Sequence, residues 1–207
     1  MQEASTGGKI EAPPVIFLDI DGVLNSSATR NRPTAVGDAL ARLVCRVFRR
    51  GRRSERAAPL WTEPGGIPPR TSHLPAAELV AHLKRAVDDT GARIVLSSTW
   101  RIQEADFDAA SHALAAAGMT ICGVTSNLDF TFKGDRVDEC LDWLRRNCPV
   151  ISAAAWVAID DMDLLAMNAA NDEDHFVRTS DKVGLTEQKA QEVIDKIRRQ
   201  ISTMSKT

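Results

Sequence analysis

"VIFLDIDGVLNS", residues 15–26, decides how the rest of the chain is read. "VIFLDI" (15–20) is an apolar run of the kind a strand shows when both faces of a parallel sheet are covered. It closes on Asp19 and Asp21, one residue apart, and then on Gly22. A strand has a period of two, so one that continues through both aspartates points their carboxylates the same way. Like charges then converge on a small volume, and a divalent cation relieves the repulsion. Hard oxygen donors of this kind favour Mg2+ over softer metals. Gly22 lets the backbone turn sharply beside such an ion.

The pattern downstream alternates. "LPAAELVAHLKRAVDDTGA" (74–92) reads as a helix, with Pro75 in its first turn, Leu79, Leu83 and Val87 on one face, and Gly91 as its stop. "RIVLSS" (93–98) follows as a strand, then a helix over 104–117 with Phe107, Ala110 and Leu114 inward, then "MTICGV" (119–124) as a strand. A helix over 135–147 carries Val137, Cys140, Leu141 and Leu144 as an apolar stripe. "AAWVAID" (154–160) is a buried-type strand and "HFVRT" (175–179) a short one. A closing helix over 186–203 presents Ala190, Val193, Ile194, Ile197 and Ile201. This alternation predicts an α/β fold, a doubly wound, Rossmann-like parallel sheet whose ligands bind beyond the carboxyl ends of the strands. Asp19, Asp21, Ser98, Asp160 and Asp161 fall at such ends.

The 207 residues fit one domain. Residues 1–14 read as a flexible lead-in that stops at Pro13-Pro14, and 15–207 as the domain. Residues 26–72 break the rhythm as a short basic insertion after the first strand. Ten arginines against Asp38, Glu55 and Glu63 give it +7 and leave −9 on the remainder of a chain with net charge −2. A helix from Val36 to Arg50 fits within it. So balanced a chain is not a protein that coats nucleic acid along its whole surface. The apolar runs fall far short of a membrane span, and the polar N-terminus has no signal core. Cys45, Cys122, Cys140 and Cys148 form no C-x-x-C pair, which points to reduced thiols in an intracellular, cytoplasmic protein. The four histidines show no zinc-ligand spacing. Nothing calls for an obligate protein partner.

A second acidic cluster, "IDDMD" (159–163), also ends an apolar strand. Either cluster alone reads equally well as a solvated turn or a helix N-cap. Two of them, each after a strand in a βα pattern, favour a shared cation site.

On these residues the chain resembles the haloacid dehalogenase-like (HAD) hydrolase superfamily. "FLDIDGVLN" is similar to its first signature, D-x-D-G-[TV]-L. "IVLSS" resembles the second, a strand ending in Ser or Thr, and "IDD" the fourth. The third, a Lys or Arg near a helix start, fits Lys133 or Arg136 in "FKGDRVDECLDWL". "IVLSSTWR", "RVDECLDWL", "WVAIDDMD" and "HFVRTSDKVGLTEQKAQEVI" are closer still to the small HAD domains of Swiss Army Knife RNA-repair proteins.

The resemblance implies a Mg2+-dependent phosphatase. Asp19 is then the nucleophile that makes an aspartyl-phosphate, and Asp21 the general acid and later base. Asp19, the backbone carbonyl of Asp21, and Asp160 hold the metal, with Asp161 a direct or outer ligand. Ser98 donates to the phosphoryl group, with Ser97 as its competitor. Lys133 or Arg136 neutralises a phosphoryl oxygen, with a plain salt bridge as the alternative for either. Gly22 lies beside the substrate. Arg101 either touches substrate or pairs with an acidic neighbour. Trp100 and Trp143 read as packing residues, and Thr179 and Asp181 as a turn. In the superfamily, insertions after the first signature act as substrate-selecting caps. The basic insertion fits a nucleotide or an RNA end, or an arginine-rich loop that pairs with the acidic body. The phosphorylated substrate is thus a nucleotide or RNA-end phosphate, a small metabolite handled by the same machinery, or a ligand of a catalytically silent phosphate-binding module.

Overall fold

The computed structural model describes residues 12–30, 74–126, 135–148, 154–167 and 173–206. Lys133, Cys45, residues 1–11 of the lead-in and residues 31–72 of the insertion lie outside them. Five strands form one all-parallel sheet in the order β3-β2-β1-β4-β5: β1 Val15–Leu18, β2 Arg93–Leu96, β3 Ile121–Val124, β4 Trp156–Asp160 and β5 Phe176–Arg178. The helices are α1 Ser27–Arg30, α2 Ala77–Thr90, α3 Glu104–Ala116, α4 Asp135–Asn147, α5 Leu164–Met167 and α6 Glu187–Met204.

β1 is entirely buried and central. The chain steps from it through β2 to β3 on one side, then returns to β4 and β5 on the other. The reversal of order lies between β1 and β4, and open α/β sheets bind ligands at such a point. Alternate residues of the strands serve opposite faces, as the pleat requires. Ile16, Leu18, Ile94, Leu96, Val157, Ile159 and Val177 join a core with the apolar stripes of α2, α3 and α6. Val15, Phe17, Val95, Trp156, Ala158 and Phe176 meet α4 and α5 on the other face. The aromatic rings of Phe17, Trp143 and Trp156 pack edge to face there.

Main-chain hydrogen bonds continue one residue past the strands and align their carboxyl ends. Asp19 N donates to Ile159 O, Ser97 N to Leu18 O, Thr179 N to Asp160 O, and Thr125 N to Leu96 O. The ladder thereby seats the first aspartate beside β4 and the serine pair beside β1.

Several sequence boundaries shift by a residue or more, and at two of them the hydrogen bonds give the reason. The first strand stops at Leu18, not at residue 20. The amides of Val23, Leu24 and Asn25 all turn back onto Ile20 O, with Gly22 at φ 72°. The third strand starts at Ile121, not at 119. Met119 N instead donates to Leu114 O and closes the end of α3, across Gly118 at φ 73°.

The loop after β5 is fastened to the loop after β1. Ser27 N and Ala28 N donate to the carbonyls of Asp181 and Lys182, Leu185 N donates to Val23 O, and the Thr179 hydroxyl donates to Gly22 O. Gly184, at φ 74°, makes the close approach possible. A Cβ there would lie 2.6 Å from a Leu79 methyl and 2.7 Å from Val23 O. Gly184→Ala therefore meets both a left-handed backbone and a rigid neighbour. It is expected to cost about 2 kcal/mol or more in urea unfolding at unchanged m-value.

Candidate active site

The ends of β1 and β4 bring Asp19 together with Asp160 and Asp161. One carboxylate oxygen of each lies within 4.8 Å of the others. Asp19 and Asp160 are 6% and 2% exposed, so water screens them little. At an effective dielectric of about 20, two such charges repel by roughly 3 kcal/mol. Burial, followed by the charge of Asp160, pushes the Asp19 carboxyl up to about 7. Arg136 and a hydrogen bond from the Ser98 hydroxyl act in the opposite direction. Burial also raises Asp160 and Asp161 above the ordinary carboxylate range.

Arg136 partly offsets this charge. It lies in the first turn of α4, and its Nη1 donates to Asp19 Oδ1 at 3.2 Å and to Asp160 Oδ2 at 2.8 Å. Burial works against its charge, but Asp160 and Asp19 outweigh it and hold the guanidinium protonated. Four ionisable groups thus carry three potential negative charges against one positive. The donor set consists of hard oxygens, the charge is undercompensated, and Gly22 leaves no side chain in the way, since a Cβ there would overlap the Asp161 carboxylate. These residues fit a hard divalent cation such as Mg2+.

Asp21 departs from the expectation that both aspartates of the first loop converge. The strand ends before it, and its carboxylate is not one of the three that cluster, although its charge still reaches Asp161 and helps raise that carboxyl. Oδ1 accepts from Asn25 Nδ2 at 2.9 Å, and Oδ2 accepts from Trp100 Nε1 at 3.0 Å. Ser98 is fully buried, lies close enough to Asp19 for its hydroxyl to lower that carboxyl, and caps the short helix Thr99–Arg101 by accepting from Trp100 N. Ser97 is buried beside it, and its amide extends the β1 ladder.

Arg101 pairs with an acidic neighbour. Its Nη2 donates to both oxygens of Glu139, at 2.9 and 2.8 Å, and its Nη1 donates to the carbonyls of Ser97 and Ser98. Both side chains of the pair are 6% exposed, and the Thr125 hydroxyl also donates to Glu139. The pair supports the serine loop from below. Glu139 went unnoticed in the sequence, although it stands one helical turn after Arg136, where the same helix face points at the sheet ends. Removing one partner of a buried pair leaves the other charge unmatched. Glu139→Gln is expected to lower stability by about 3 kcal/mol, measured by chemical denaturation.

With the geometry in hand, comparison with known proteins adds one finding. Residues 15–190 match the family described as the HAD domain in Swiss Army Knife RNA repair proteins. No curated protein and no solved structure matched. The matched span includes the three carboxylates, the serine pair and Arg136.

A bound cation would stabilise the fold in proportion to its occupancy. Millimolar Mg2+ is expected to raise Tm by about 2–5 °C in a thermal melt, and Asp160→Asn to abolish that shift.

Proposed function

The chain belongs to the family of HAD domains found in Swiss Army Knife RNA repair proteins, which are hydrolase-type domains, and from that premise we propose that it is a Mg2+-dependent phosphohydrolase that works through an aspartyl-phosphate. The observation that carries this reading is the buried cluster of Asp19, Asp160 and Asp161, with Arg136 bonded to Asp19 and Asp160 and Ser98 beside Asp19.

Asp19 supplies the nucleophilic oxygen, which attacks phosphorus in line as the bond to the leaving oxygen breaks. Asp21 donates a proton to that oxygen, then withdraws one from the water that hydrolyses the acyl-phosphate and frees inorganic phosphate. Arg136, already seated against Asp19 and Asp160, neutralises a phosphoryl oxygen, and Ser98 donates to the phosphoryl group. Bound by Asp19, Asp160, Asp161 and the backbone carbonyl of Asp21, Mg2+ would screen the nucleophile from the phosphate dianion. The serine loop is fixed by Arg101 and Glu139, so these donors stay in place through the cycle.

For the substrate we propose a phosphate on a nucleotide or RNA end. Support comes from the repair proteins named in the family description and from the ten arginines of residues 26–72. Aromatic residues for base stacking are few in that segment, Phe48 and Trp61 only, which is the point in favour of a small metabolite instead.

The expected result is Mg2+-dependent phosphate release from an aryl phosphate, reduced about a thousandfold or more by Asp19→Asn. A wild-type protein without turnover across a broad phosphatase screen would reject the proposal. Short RNA is expected to compete with the aryl phosphate at low salt, and the competition to weaken steeply as salt rises. Failure to compete would point to the small-metabolite substrate.

A further inference from the structure

We infer that Trp100 is a positioning residue that holds the general acid/base carboxylate of Asp21 through its indole N–H, an inference that rests on the phosphohydrolase reading.

Trp100 is 1% exposed, and its ring belongs to the core on the α2, α3 and α6 side of the sheet. A buried indole must place its one N–H donor on some acceptor. Here the acceptor is Asp21 Oδ2 at 3.0 Å, on the loop after a different strand and 79 residues away in sequence. Asn25, fully buried, donates to the other oxygen and accepts from Gly22 N through its Oδ1 at 3.2 Å. The two oxygens of Asp21 are therefore held by two buried donors that are themselves fixed, one by the core and one by the glycine turn. A carboxylate has about four acceptor sites, so these bonds do not consume it.

The arrangement explains why two carboxylates so close in sequence face different tasks. Asp19 is drawn toward β4 by Arg136, which it shares with Asp160. Asp21 is drawn toward the short helix that follows β2, where Trp100 sits. Because β1 lies between β2 and β4, the two pulls are opposed. A general acid must stand within hydrogen-bond reach of the leaving oxygen, and a small displacement is costly. A donor anchored in the core sets that position better than solvent does.

The test is leaving-group dependence. Trp100→Phe keeps an apolar ring and removes the N–H. The value of kcat/KM covers steps up to departure of the leaving group. With Mg2+, it is expected to fall about tenfold to a hundredfold for a nucleoside monophosphate, whose alkoxide needs the proton. For 2,4-dinitrophenyl phosphate, whose leaving group needs none, it is expected to stay within about twofold of wild type. In an Asp21→Asn background, Trp100→Phe should add no further loss. Equal losses on both substrates, or an added loss in that background, overturn the inference. A wild type that turns over neither substrate overturns the phosphohydrolase reading and this inference with it, a result distinct from an active enzyme whose variant loses both substrates equally. If Trp100→Phe does not fold, the indole N–H resonance of Trp100 in the wild type carries the test. Asp21→Ala should move it upfield, as a lost hydrogen bond does, and an unmoved resonance overturns the inference.

Discussion

The structure depends on holding like charges together. Asp19 and Asp160 are buried at the ends of adjoining strands, close enough for their carboxylates to share one guanidinium. Left alone, the pair would part or take up a proton. The parallel ladder does not allow parting, because Asp19 N is bonded to Ile159 O and the strands beneath are buried on both faces. The hydrophobic sheet supplies the stabilisation, and the charge cluster stores part of it as electrostatic strain that a bound cation would relieve. Arg136 provides some of that relief from within the chain.

A site built this way needs rigid loops, and the structure supplies them by cross-bracing. The loop after β5 is hydrogen-bonded to the loop after β1 at four points, and Gly184 lets the two backbones touch. The serine loop after β2 rests on Arg101, which rests on Glu139 of α4, the helix that also carries Arg136. One helix therefore orients the cationic partner of Asp19 and supports the serine that lies beside the same carboxylate. Preorganised donors of this type would let the proposed phosphoryl-transfer reaction have its charge stabilised without rearrangement.

Much of this was legible beforehand, and for identifiable reasons. Long amphipathic segments are local features, so the helices over 135–147 and 186–203 agree with α4 and α6 to within a residue at each end. Strand ends were less legible. Whether residue 20 or residue 119 is strand depends on which carbonyl an amide meets, and that partner lies on another element or in a turn. For the same reason, the strand periodicity misplaced Asp21. The period of two describes a chain that continues straight, and this one turns at Gly22 to bond back onto Ile20.

From the sequence alone came the βα alternation, the two acidic strand ends and the choice of residue types that make a cation site chemically sensible. Those follow from hydrophobic period and donor chemistry, which are properties of short stretches. Tertiary structure decided which side chains meet. Arg136 stands at Asp19 and Asp160, Arg101 pairs with Glu139, and Trp100 donates to Asp21. These partners are separated by 24 to 117 residues and joined only by the strand order β3-β2-β1-β4-β5. A hydrogen bond between distant residues leaves no periodic trace in the chain, because its geometry is set by the sheet rather than by either residue's neighbours.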